Sequence, residues 1–149
     1  MKLLHKITLE AFAKPEEDVP AIKQALIELV PLSLEEEKIQ FRDKQAKGFN
    51  ERMIHVFTII LNKESHTNAF LKFFLKKLSD EQKELLLRQK ESRIDKGLNF
   101  FIRLDKEKWL RERIFWITDS GDCFHLKFAL AVFPKKRDVA LELVEKVFA

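Results

Sequence analysis

Glycine and proline are scarce in this chain, three and four among 149 residues. That scarcity argues against flexible linkers and low-complexity disorder, and it leaves too few glycines for a loop that wraps a nucleotide. The single cysteine, Cys123, cannot close a disulfide within the chain, which is consistent with a reducing compartment. No apolar run approaches the roughly 20 residues that span a bilayer. The opening Met1-Lys2-Leu3-Leu4-His5-Lys6 lacks the continuous apolar stretch of a secretion signal, so a cytoplasmic location is expected.

Phenylalanine, by contrast, occurs 14 times, and hydrophobic residues make up 46% of the chain, enough for a sizeable core. At this length the expectation is one domain over residues 1–149, because two would each be marginal in core volume. Positive charge is unevenly spread. Residues 1–37 hold four lysines (Lys2, Lys6, Lys14, Lys23) against eight acidic side chains, a net of −4, which leaves +8 for residues 38–149 in a chain of net +4. On a small domain such asymmetry makes a basic face that attracts polyanions, of which RNA is the commonest in cytoplasm. The plainer account is a solvated surface rich in Lys and Glu, as thermophiles use.

Residues 3–13 alternate, with Leu3, His5, Ile7, Leu9 and Ala11 on one side and Lys6, Thr8 and Glu10 on the other, a strand with one buried face. Asp18 caps a helix that carries Val19, Ile22, Leu26 and Leu29 and stops before Pro31. Residues 38–44 alternate again, putting Ile39 and Phe41 inward and Lys38, Gln40, Arg42 and Lys44 outward. Lys47-Gly48-Phe49-Asn50 reads as a hairpin turn into the nearly all-apolar strand Met53–Leu61. A helix begins at Ser65 or Thr67, and the Ser79/Gln82 capping box starts another that runs to Gly97. Residues 98–104, 114–117 and 123–133 read as strands, 106–113 as a charged connection or short helical turn, and Val139 to Phe148 as a final amphipathic helix. The predicted class is α+β, a mainly antiparallel sheet with helices on one face and element order βαββααβββα. Such a sheet leaves its other face available to a partner.

Thr118-Asp119-Ser120-Gly121-Asp122-Cys123 is the most distinctive hexapeptide. Two carboxylates around Ser and Gly are able to hold a divalent cation, but between apolar strands a tight turn, with Gly at positive φ, is the stronger reading. Cys123 and His125 share a strand face, yet no further Cys or His stands at metal-ligand spacing, so no metal site is expected. No Gly-x-Ser-x-Gly, phosphate loop or dinucleotide fingerprint occurs. Asp105, Asp119 and Asp122 would suit a two-metal nuclease only if the fold drew them together.

Three groups of cations are the candidate RNA-contacting residues. Lys38, Arg42, Lys44 and Lys47 occupy the second strand and its turn. Arg103, Lys106, Lys108, Arg111 and Arg113 follow the fourth strand. Lys135, Lys136 and Arg137 begin the last helix, where cations oppose the macrodipole and so point to a partner anion.

Leu4-His5-Lys6-Ile7-Thr8-Leu9, Gly48-Phe49-Asn50, the stretch LNFFIRLDK at 98–106, and TDSGDC at 118–123 followed by His125-Leu126-Lys127 resemble an archaeal family of RNA-binding proteins or predicted exosome subunits. The similarity runs through most of the length. It implies a fold like that of double-stranded-RNA-binding domains, RNA binding, and association with RNA-processing machinery, with no catalytic residue and no cofactor. This chain departs from the family in the first hairpin, where Lys47-Gly48-Phe49-Asn50-Glu51 stands for a Gly-His-x-Gly-Asn-Pro stretch. The expected partner is therefore RNA, structured or bound without strong sequence preference, held through phosphates. The rival expectation is a protein-interaction module, homodimeric through sheet edges or the open sheet face. A metal-dependent nuclease trails both.

Overall fold

The computed structural model describes residues 2–48, 52–119 and 121–149. Five strands, β1 (Leu4–Ala13), β2 (Gln40–Lys47), β3 (Met53–Leu61), β4 (Asn99–Asp105) and β5 (Cys123–Leu130), form one antiparallel sheet in the order β2-β3-β1-β5-β4. Between and after them run α1 (Val19–Glu28), α2 (Glu64–Lys77), α3 (Asp80–Arg88), α4 (Lys106–Glu112) and α5 (Arg137–Phe148). The α+β class and the antiparallel sheet are those the sequence predicts.

Period-two alternation decides what lies inside. Phe41, Ile59, Leu9, Leu126 and Ile102 are register partners in one row across all five strands, and all but Phe41 are essentially inaccessible. The helices cover this side. Phe70 and Phe74 of α2 meet Phe128 edge-on, with centroids 6.2 and 5.8 Å apart, while Phe148 of α5 lies against Phe100. Aromatic pairs in such offset and edge geometries add to burial itself. Trp109 of α4 closes the layer by donating from Nε1 to the Ala25 carbonyl at 2.7 Å.

The caps follow the sequence. Asp18 accepts from the Ala21 amide at 3.2 Å and Ser79 from the Gln82 amide at 3.2 Å. The Gln82 side chain does not reach back to complete the box; its Oε1 accepts from the Ile117 amide at 2.8 Å. Several boundaries differ from expectation, and β2 runs over 40–47 rather than 38–44. α3 stops at Arg88 rather than Gly97, and β5 stops at Leu130, short of the exposed Phe133. Residues 106–112 are helical, capped by Asp105, whose side chain accepts from the Lys108 amide at 2.9 Å. Residues 114–117 supply one bridge, Ile117 to Leu104, instead of a strand, because Arg113 leaves α4 in the left-handed region at φ 55° and only the end of the segment comes alongside β4.

That bridge belongs to a covering of the β4 edge. The Asn99 amide donates to the Asp95 carboxylate and its carbonyl accepts from the Asp95 amide. The Phe101 amide donates to the Arg93 carbonyl, and the Phe101 carbonyl accepts from Arg93 Nη1. Further along, the Arg103 carbonyl accepts from Thr118 and the Asp105 amide donates to the Trp116 carbonyl. The outward backbone groups of β4 are thus largely taken, while β2 at the opposite margin has, among the described residues, no strand on its outer side.

Candidate nucleic-acid interface

Among the described residues no helix packs on the second face of the sheet, which carries the polar half of the β1 alternation and, on β3, Thr58 beside Ile54, Val56 and Ile60. One cross-strand row reads Arg42, Thr58, Glu10, His125, Arg103, and the next reads Gln40, Ile60, Thr8, Lys127, Phe101. With Lys6, all of these but Gln40 line a shallow groove of about 540 Å³, a volume in the range that holds small ligands. Its lining has four cations, Lys6, Arg42, Arg103 and Lys127, against one carboxylate, Glu10. The cations come from four different strands, so they converge by sheet pairing rather than by nearness in sequence. Phe101 is 36% exposed on this face, with the Lys127 ammonium 6.0 Å from its ring. At the β4 margin, pairing of Asp105 with Trp116 brings an indole that is 48% exposed, with the Lys108 ammonium 5.8 Å from its ring. Cations beside accessible aromatic faces suit a polyanion whose bases stack.

Arg93, itself 8% exposed, lies along the outer edge of β4, where its guanidinium reaches the Gln89 amide oxygen, the Phe101 carbonyl and Asp119. Burial lowers the Arg93 pKa and neighbouring Arg103 adds to the fall, against the pull of Asp119. Arg103 in turn donates to the Asp119 carbonyl at 3.1 Å. Two buried or half-buried groups, Cys123 and His125, lie next to it with Sγ 3.5 Å from Nε2. Burial pushes the thiol up and the imidazole down. Both shifts oppose a thiolate–imidazolium pair, so the geometry does not activate a nucleophile.

The twelve cations singled out in the sequence divide sharply. Arg42 and Arg103 line the groove, Lys44 follows Arg42 on the same side of β2, and Lys108 stands at the Trp116 margin. Lys38 precedes β2, with φ 54°, and Lys47 falls on the opposite side of that strand from Arg42. Lys106 requires a correction: it is 4% exposed, and its ammonium contacts the Phe12 carbonyl at 2.7 Å, Asp122 at 3.1 Å and Glu17 at 3.4 Å. A cation so enclosed ties β1 to α4 and is not free for a phosphate. Arg113 is likewise occupied by the Trp109 and Leu110 carbonyls and Glu28, and Arg137 by the Ile94 and Glu91 carbonyls. Arg111 pairs with Glu107 one helical turn back. Lys135 and Lys136 are exposed in the segment entering α5. Sequence reasoning passed over Lys6, Lys127 and Phe101, although the alternation of β1 and β5 already put Lys6 and Lys127 on the uncovered side.

Among the described residues no cluster of His, Cys, Asp or Glu has the arrangement of a metal site, and no helix is long and apolar enough to cross a membrane. Asp105 caps α4, Asp119 pairs with Arg93, and Asp122 with Lys106 and Lys14. Phe49, Asn50 and Glu51 of the first hairpin, and Ser120 of the hexapeptide, lie outside the described residues. Gly121 has φ +83° with open space where a Cβ would be, so only the backbone conformation demands glycine there. Gly121→Val is expected to cost about 1–3 kcal/mol of stability, read as a lower melting temperature. A protein that melts like the wild type would disprove the turn's dependence on that φ.

Comparisons with known proteins concern the chain as a whole. The curated RNA-binding protein PAB1135 of Pyrococcus abyssi is 23% identical over 142 residues, covering 95% of this chain and 92% of that one. The crystal structure of AF2318 from Archaeglobus fulgidus is similar at a TM-score of 0.85 and 26% identity, covering 97% of this chain and 99% of that one. Mth689, a DUF54 protein from Methanothermobacter thermautotrophicus, follows at 0.79 and 26% identity, covering 99% of this chain and all of that one. The family model described as RNA binding matches residues 6–130, from Lys6 in the groove to the end of β5, and this chain belongs to that RNA-binding family.

Proposed function

We propose that the protein binds RNA on the open face of its sheet, with phosphates docking on Lys6, Arg42, Arg103 and Lys127. The observation that carries this reading is the convergence of those four cations, from four strands, around a groove with an accessible phenyl ring. A sheet face with exposed aromatics suits single strands or loops, whose unstacked bases lie flat on it, better than a closed duplex. Lys44 and the Lys108–Trp116 pair extend the same track. The phosphate contacts themselves carry no sequence information.

A titration of an unstructured 12-mer RNA against salt tests the reading. Four phosphate contacts on a single strand give a log–log slope of about −3. An affinity indifferent to salt would exclude phosphate docking, and tighter binding of the corresponding duplex would move the reading from stacked single strands to duplex shape.

An RNA-processing partner of the exosome kind belongs to the same proposal, with the groove holding RNA while the helix layer meets protein. Co-purification from extract with and without ribonuclease treatment tests that extension. Dimerisation through β2 is the weaker alternative, because Arg42, Lys44 and Lys47 along that edge would repel their copies in an edge-to-edge pair.

A further inference from the structure

We propose that Glu10 reads a base edge in the groove and gives RNA bound there a preference for guanine, an assignment that rests on the open-face reading above. Glu10 sits on β1, the middle strand of five, in the row whose ends are Arg42 and Arg103. A carboxylate at the centre of a phosphate-binding row repels phosphate where the row is most enclosed. Glu10 has no ion partner among the described residues that would explain its position. Its one hydrogen bond is accepted from the Thr58 hydroxyl at 3.4 Å, which leaves most of its acceptor capacity unused. Its neighbour on the other strand, His125, has its pKa lowered by burial, although Glu10 itself works to raise it.

The conflict resolves if the sugar–phosphate backbone follows the cations at the flanks and a base turns inward. Arg42 and Arg103 stand four strand spacings apart, roughly 19 Å between backbones. A base reaching β1 then presents its Watson–Crick edge, which is free in a single strand, to the Glu10 carboxylate. Guanine carries two adjacent donors on that edge, N1–H and the N2 amino group, which match the two carboxylate oxygens. Adenine and cytosine set an amino group beside a ring nitrogen that is an acceptor, so the second oxygen meets a lone pair. Uracil offers one N–H between two carbonyls. Phe101, one row along and two strands away, is placed to stack on a neighbouring nucleotide.

The test compares the heptamers UUUGUUU, UUUAUUU, UUUCUUU and UUUUUUU, with an inosine version that lacks the N2 amino group. Wild-type protein is expected to bind UUUGUUU tighter than UUUUUUU by on the order of 10-fold, with inosine losing much of that gain. Glu10→Gln keeps the shape and an acceptor for Thr58. It is expected to erase the guanine preference and, with the repelling charge gone, to bind UUUUUUU more tightly than wild type. Equal affinity for all heptamers, or a preference that survives Glu10→Gln, overturns the base reading and leaves the face intact. Heptamer binding that ignores Arg42→Glu combined with Arg103→Glu overturns the face itself, and the guanine assignment with it.

Discussion

Reversing two charges, Arg42→Glu together with Arg103→Glu, is expected to weaken RNA binding on the order of 100-fold at low salt and to flatten the salt dependence by about 1.4 units, at about 0.7 per lost contact. The two residues close opposite ends of one cross-strand row, so the pair probes the face rather than one corner of it. Neither holds the core. Arg42 is exposed, and Arg103 gives up one exposed hydrogen bond to the Asp119 carbonyl, so stability should change by no more than about 1 kcal/mol. Lys72→Glu with Lys76→Glu on α2 is the control, equal in charge change but on the helix layer. If the control weakens binding as much as the groove pair, net charge alone drives affinity and no localised face exists. Fluorescence anisotropy at three or more salt concentrations, with melting curves on each variant, separates these results.

Lys106→Met is expected to do the reverse, costing stability while sparing RNA. The substitution keeps the apolar stem and removes the ammonium, which takes its cation from the Phe12 carbonyl and leaves the carboxylates of Glu17 and Asp122 with only their contacts to Lys14. Breaking a fully buried pair costs about 3–5 kcal/mol. Here Asp122 keeps 41% of its side-chain exposure and Glu17 23%, so about 3 kcal/mol is expected, a fall of roughly 10 °C in Tm at this chain length. Below the transition, RNA affinity should stay within about twofold. A stable variant that had lost RNA would return Lys106 to the interface. Acid sensitivity offers a second reading of the same contact. Burial works to raise the Asp122 carboxyl, but hydrogen bonding and charge from Lys106, then Lys14, outweigh it and hold the pKa below 3.8. A pKa lowered on folding stabilises fully above the unfolded value and is lost as pH falls through the folded one. The wild type should therefore lose this contribution below about pH 4, and Lys106→Met should show a shallower acid limb.

Much of the fold was legible because each strand spells out its two faces. Ile7, Leu9 and Ala11 alternate with Lys6, Thr8 and Glu10 as read. Leu3 and His5, read with the inward set, do not follow: a bulge between Leu4 and Lys6 shifts the register, so Leu4 is buried and His5 exposed. Residues 114–117 looked no different in sequence, with Phe115 and Ile117 buried as in a strand. They form one bridge because Phe115 packs into the ring cluster of Phe73, Phe74 and Trp109 rather than running beside β4. The binding face was harder to read. Local charge density drew attention to residues 103–113, yet an ammonium's fate depends on what surrounds it, and Lys106 turned inward to three oxygens. Lys127 and Lys6 are isolated in sequence, Lys127 between Leu126 and Phe128 and Lys6 between His5 and Ile7. They share a face with Arg42 and Arg103 only because β1 lies between β3 and β5, and strand order is a long-range property that no local spacing encodes.

The closed β4 edge and the open β2 edge also limit how copies of this protein can join. Growth of a fibril by strand addition needs two free edges per molecule, one to receive and one to offer. With the outward groups of Asn99, Phe101, Arg103 and Asp105 largely bonded within the chain, a sheet of this kind has a single place to pair. Edge contact therefore ends at two molecules, a closed two-fold arrangement rather than a filament. Copies crowded along one RNA can stand side by side without propagating a shared sheet from molecule to molecule.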